Sequence, residues 1–209
     1  MYKDHITINP AEMIKPFPRL PDRDGNIPTG ERRPLTKDEW NRLVKACEKS
    51  KKKLLIFIVK VAKYSGLRKG ELRRLTWDDV DFDKNVLRVR QTKNKTTFYK
   101  PMPRKLRQVL LELRDEHPFA QYVLCKPDGS PCGDWRESFN NACKRAGLDE
   151  VCFHMLRHTC FSNLGNHGYG ALQLKAYSGH KSTKMVERYT KISPEYVQKM
   201  ANALDLDDD

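Results

Sequence analysis

Apolar residues recur along most of this chain at spacings of three and four. Trp40, Leu43, Val44 and Cys47 follow this rule behind Thr36-Lys37-Asp38-Glu39, whose Thr and Glu three residues apart form a capping-box pattern. A helix is predicted to begin there. A second begins at about Lys53, where Leu54, Leu55, Phe57, Ile58, Val61 and Ala62 leave almost no polar face, so it belongs at the centre of the fold. Gly66 stops it, and a short third helix carries Arg68, Glu71, Leu72 and Leu75.

The period then changes. Val86-Leu87-Arg88-Val89-Arg90 and Thr96-Thr97-Phe98-Tyr99 are rich in β-branched and aromatic residues and flank a polar stretch with Lys93, Asn94 and Lys95. This is the pattern of a β-hairpin with Lys93 near its tip. Pro103 opens a helix whose apolar stripe is Leu106, Val109, Leu110 and Leu113. Another starts near Asp134 and turns Trp135, Phe139, Ala142 and Cys143 inward until Gly147. A helix from about Phe153 buries Leu156, Cys160 and Leu164. Short helices are expected over about 171–177 and, from a Ser182 cap, 182–190. A last one begins at Ser193-Pro194, with Tyr196, Val197, Met200 and Leu204 on one side. The expected fold is mainly α with one small antiparallel β-sheet, an α+β arrangement. Residues 1–33, with Asn9-Pro10, Pro16, Pro18, Pro21, Asp24-Gly25 and Pro28, read as a linker or extended lead-in, and the tail Asp205–Asp209 as a frayed acidic end.

Charge adds the first functional hint. Forty Lys and Arg against 27 Asp and Glu give a net charge of +13 on 209 residues. Such an excess favours a polyanion, most simply nucleic acid, because each neutralised phosphate releases counterions. No run of 18 apolar residues exists, and no secretory leader is apparent. Six cysteines without a C-x-x-C pair read as reduced, mostly buried thiols, and the expected location is the cytoplasm.

Two metal patterns fail. Asp79, Asp81 and Asp83 resemble the start of a calcium loop, but Lys84 stands where the glycine is needed and Arg90 where the bidentate glutamate is needed. They read as turn and strand-entry acids. Cys152, His154, His158 and Cys160 suggest zinc, but the zincin glutamate is missing and Arg157 disfavours a cation. No metal and no cofactor are expected.

Three phrases carry more specific chemistry: Ser65-Gly66-Leu67-Arg68-Lys69-Gly70-Glu71-Leu72, His154-Met155-Leu156-Arg157-His158-Thr159, and Ser178-Gly179-His180-Lys181 running on to Arg188-Tyr189-Thr190. Arginines clamp phosphate oxygens with a planar fork, histidines move protons near neutral pH, and a tyrosine hydroxyl is a possible covalent nucleophile. Singly, each residue has a plain structural use; jointly, they suit a phosphodiester.

In these phrases the chain resembles the catalytic domain of the tyrosine recombinases, also called phage integrases. The family's Arg after a Gly-Leu turn is matched by Gly66-Leu67-Arg68, followed by Glu71 and Leu72. Its hairpin Lys is matched by Thr92-Lys93, its His-x-Leu-Arg-His-Thr by His154–Thr159, and its Leu-Gly-His with Tyr nine residues later by Gly179-His180 and Tyr189. Ser178 replaces the usual leucine. The likeness covers about residues 34–200, so residues 34–209 are expected to be the catalytic domain.

The resemblance implies site-specific DNA recombination, integration or excision, through a 3′-phosphotyrosyl intermediate. It assigns Tyr189 as nucleophile, His154 as proton acceptor or phosphate partner, and Arg68 and Arg157 as clamps on the non-bridging oxygens. His180 adds a hydrogen bond to the phosphate, and Lys93 is the acid for the leaving 5′ oxygen. Glu71 orients Arg68, and His158 makes a buried structural hydrogen bond. The implied partners are double-stranded DNA, other protomers of the same protein in a tetrameric synapse, and accessory DNA-bending proteins. Family members usually carry a helical core-binding domain before this one, and here only a linker-like segment precedes it. A type IB topoisomerase relaxing DNA with nearly the same residues, and a non-catalytic DNA-binding module on the same fold, remain as alternatives.

Overall fold

The structure is a computed structural model that describes residues 33–91, 96–179, 182–187 and 189–190. The lead-in expected before Arg33, the hairpin tip with Lys93, His180, the helix expected from Pro194 and the acidic tail lie outside the described residues.

Helix α1 (Lys37–Glu48) begins where its sequence predicts. The Glu39 amide donates to Thr36 Oγ1 at 3.2 Å, and the Thr36 amide donates back to Glu39 Oε2 at 2.8 Å. Arg33 reaches over the cap and donates to both Glu39 oxygens, at 2.7 and 2.5 Å. Its hydrogen bond is the main reason that the Glu39 carboxyl is held down to about 2. Leu35, just before the cap, donates its amide to Thr159 Oγ1 at 2.9 Å, and that hydroxyl donates to the Met155 carbonyl at 2.7 Å. One buried threonine thus ties the chain entering α1 to a helix more than a hundred residues later.

Helix α2 (Leu54–Ser65) is apolar nearly all round and takes the central position, against α1, α4 (Arg104–Glu116) and α6 (His154–Asn166). Leu55, Ile58, Val59, Val61 and Ala62 are fully or almost fully buried. Gly66 ends it in the left-handed region, φ 62°, and a Cβ there would sit 3.0 Å from Cys160 Sγ. Helix α3 (Lys69–Arg74) follows. It is shorter than expected: Arg68 is its extended N-cap residue and Leu75 its C-cap residue, not members of the helix. Helix α5 (Arg136–Arg145) closes the core beside α1, with Phe139, Ala142 and Cys143 inward.

The sheet has three antiparallel strands, β1 (Val80–Asp81), β2 (Val86–Gln91) and β3 (Thr96–Pro101), in the order β1-β2-β3. In the hairpin Leu87 faces Lys100 and Val89 faces Phe98. The two-residue β1 is an addition to the predicted hairpin. Its neighbour Asp79, almost wholly buried, accepts from Arg88 at 2.9 Å, Arg90 at 2.5 Å and Thr76 Oγ1 at 2.9 Å. Burial alone would raise this carboxyl, but the bonds from Arg90, Arg88 and Thr76 outweigh it and leave it below the ordinary value. Asp79 therefore pins the hairpin and is not a lone strand-entry acid.

Beyond α6, helix α7 (Ala171–Ser178) and the four-residue α8 (Lys184–Glu187) add a second, smaller cluster of Phe161, Leu174, Val186 and Tyr189. The helix expected over 182–190 is cut short. The Tyr189 and Thr190 amides bond back three residues, to Val186 and Glu187, which is a tight turn and not a continued α-helix.

Candidate active site

Helix α6 carries the densest group of candidate residues. His154, Arg157, His158, Phe161, Ser162 and Gly165 recur at spacings of three and four, so they share one stripe. The opposite side, Met155 and Leu156, enters the main core. Nine of the 13 residues are buried, and the helix therefore lacks the solvent face that would mark it by hydropathy.

Arg157 is the pivot. Its side chain is 5% exposed, and its guanidinium donates to the Gly66 carbonyl. That carbonyl lies two residues before Arg68, so the left-handed stop of α2 brings the first phrase to the second. The Arg157 guanidinium also lies 4.7 Å from the Phe161 ring centre. Burial first, and then the nearby Arg68 charge, lower its pKa to about 10 against the opposing pull of Glu71 and Tyr189. Arg68, Glu71, Arg157 and Tyr189 thus share one electrostatic neighbourhood.

Arg68 is held by Glu71. One carboxylate oxygen accepts the Arg68 amide at 2.8 Å and the other its guanidinium at 2.9 Å. Glu71 is buried while the Arg68 side chain is 40% exposed, so the guanidinium is oriented from below and open from above. Two arginines against one buried carboxylate leave an excess of positive charge, which suits an incoming anion.

Tyr189 lies on the other flank of α6. Its ring packs edge-on against His158, 4.8 Å between centres, and at a tilt against Phe161, 5.6 Å. Gly165 makes this approach possible: a Cβ there would lie 1.7 Å from the Tyr189 carbonyl oxygen. His158 Nδ1 pairs with Ser162 Oγ at 3.2 Å inside the helix. His154 is the first residue of α6, half-buried, one turn before Arg157. Of the candidates, Arg68, Glu71, Arg157, His158 and Tyr189 come together, and His154 lies on α6 with Arg157 and His158. Lys93 and His180 fall outside the described residues; Gly179, immediately before His180, ends α7 with φ 66°. Sequence reasoning missed Phe161 and Gly165. Their spacing from Arg157, four and eight residues, was the available signal.

The sequence and the fold have known relatives. Residues 33–195 match the profile of the Phage integrase family. The chain belongs to the phage integrase family. This integrase-family chain is 27% identical over 187 residues to the shufflon-specific DNA recombinase of Escherichia coli, covering 87% of this chain and 44% of that protein. It is 27% identical over 184 residues to the integrase of Salmonella phage P22, covering 82% of this chain and 46% of that one. The integrase-family chain therefore spans about half the length of these relatives. Among solved structures, the catalytic domain of bacteriophage HP1 integrase superimposes with a TM-score of 0.66 at 27% identity, over 82% of this chain and 95% of that domain. The mainly helical architecture with its small antiparallel sheet is thus the fold of an integrase catalytic domain.

Proposed function

We propose that this chain catalyses site-specific DNA recombination by cutting and rejoining strands through a 3′-phosphotyrosyl link. The observation that carries the reading is the buried Arg157, joined to the carbonyl beside Arg68 and sharing the Phe161 ring with Tyr189. In this reading the Tyr189 oxygen forms a bond to the scissile phosphorus while the bond to the 5′ oxygen breaks. A phenol is a weak nucleophile below its ordinary pKa of about 10, so it gives its proton to His154 as the bond forms. Arg68 and Arg157 stabilise the charge on the non-bridging oxygens in the transition state, and His180 adds a hydrogen bond. Lys93 gives a proton to the leaving 5′ oxygen. A second 5′ hydroxyl then attacks the phosphotyrosine, restores the phosphodiester and frees Tyr189. No metal or cofactor takes part.

The partner is double-stranded DNA. Exchange requires four strand ends, so the active assembly is a tetrameric synapse of protomers, with DNA-bending proteins as accessories. The domain of residues 34–209 supplies chemistry and phosphate contacts. A further DNA-binding part, of the kind family members usually carry, supplies much of the site recognition. The reaction takes place in the cytoplasm; no helix among the described residues is long and apolar enough to cross a membrane.

The test is a nicked suicide duplex taken from the DNA that flanks the coding region. Wild type is expected to leave a denaturant-resistant adduct, and Tyr189→Phe to bind the duplex equally and leave none. An adduct with Tyr189→Phe would move the nucleophile elsewhere; no adduct with wild type on any flanking duplex would refute the reading.

A further inference from the structure

Lys100 is a lysine in a core position. It is 1% exposed, on strand β3, and too deep to touch DNA. Its Nζ donates to the Tyr177 carbonyl at 2.8 Å and lies 3.6 Å from the centre of the Tyr177 ring. Tyr177 belongs to the last turn of α7, where carbonyls lack helical partners and the helix dipole favours a cation. Phe98 lies two residues before Lys100, on the same face of β3. Its ring is so close to Gly179 that a Cβ there would meet Phe98 Cε1 at 2.5 Å. One face of β3 therefore grips the carboxyl end of α7 twice, through Lys100 at Tyr177 and through Phe98 at Gly179. The next residue in the chain is His180.

We propose that Lys100 is a positioning residue for strand cleavage: with Phe98 it fixes the last turn of α7 on strand β3, and so sets where the chain delivers His180. The inference rests on the role given to His180 above. Lys100 acts from beneath and never meets the phosphate.

The protonation of Lys100 grades this tie. Burial lowers its pKa to about 7; Cys160 on α6 and Glu71 on α3 oppose the shift, and Arg157 on α6 adds to it. From α7 it faces the Tyr177 ring. Amine and ammonium both donate to the carbonyl, but only the ammonium is attracted by the ring face and the helix end. The lowered pKa means that burial of the ammonium costs more than these attractions return, so the tie opens most readily below pH 7 and tightens as pH rises from 7 towards the ordinary lysine value.

The experiment compares wild type, Lys100→Met and Lys100→Gln in the full chain, using the flanking-DNA suicide duplex. Lys100→Met is expected to bind the duplex at unchanged salt midpoint yet form the adduct about 10- to 100-fold more slowly, the usual consequence of a misplaced group. The ratio of wild-type to Lys100→Met rates is expected to be larger at pH 8.5 than at pH 6, because the charged amine weakens the wild-type tie at the lower pH. Lys100→Gln keeps a donor without charge and should give an intermediate rate. At pH 10, where the wild-type amine carries little cost of burial, exchange of the Gly179 amide should quicken by about 10-fold in Lys100→Met, because the end of α7 has lost its donor and opens more often. Adduct formation by Lys100→Met at the wild-type rate would overturn the proposal alone. No adduct from wild type would overturn the recombinase reading and the positioning role together, even if Gly179 exchange quickens. Loss of a cooperative thermal transition in both variants would show that Lys100 is needed for folding and would overturn the positioning role.

Discussion

Replacing Lys100 by methionine should stabilise the protein at low pH and destabilise it at high pH. The ordinary lysine value is 10.5 and the folded value is about 7. Between these limits the unfolded chain holds a proton that the folded chain has lost, so wild-type stability rises with pH across that window. Below pH 7 the full cost of charging a buried amine is present, on the order of 5 kcal/mol. Methionine removes this cost and fills a similar volume. It also removes the donor at 2.8 Å from the Tyr177 carbonyl. An unsatisfied buried carbonyl costs about 2 kcal/mol. The net expectation is a gain of about 3 kcal/mol at pH 6 and a change of sign near pH ~9, where the remaining linkage cost equals the lost hydrogen bond. Urea denaturation of both proteins at pH 6, 7.5, 9 and 10 measures the difference directly. A difference that stays constant across pH would refute the reasoning, since it would mean that Lys100 keeps the same protonation in both states. A gain in stability with a loss of activity is the usual exchange at a site that holds strain or charge for function.

Gly165→Ala should keep the core, because alanine suits a helix, yet slow adduct formation by at least about 10-fold, since its methyl would enter the space of the Tyr189 carbonyl at 1.7 Å. Adduct formation at the wild-type rate, measured on the same suicide duplex, would show that the Tyr189 segment does not rest on α6 during catalysis. Thr159→Val should cost about 1–3 kcal/mol in urea denaturation, because the buried Leu35 amide, now bonded at 2.9 Å, loses its acceptor. Glu71→Ala should lower stability by about 1–2 kcal/mol through the lost cap and slow cleavage more than it weakens DNA binding, because Arg68 loses its support. Equal losses in binding and cleavage would place Arg68 in general affinity instead.

Most of the elements and the family were legible in the residue pattern alone. Capping chemistry at Thr36 and Glu39, the unbroken apolar run of α2, the stripe on α4 and the change of period at Val86 are local, and local rules read them. The phrases around Arg68, Arg157 and Tyr189 marked the candidate site because residue types at fixed spacing are readable whatever packing surrounds them. Tertiary structure decided the rest, where the deciding partner is far away in the chain. Nothing near Lys100 in sequence shows that its amine lies under Tyr177, 77 residues later. A strand lysine ordinarily points to water, and burial is a property of what packs over it. The helix expected over 182–190 shortens where its end turns and Tyr189 packs on α6, whereas the cap at Arg68 is local, since Glu71 three residues on accepts its amide. By local rules a glycine at 165 only weakens its helix, and the Tyr189 backbone against it is what accounts for the missing side chain.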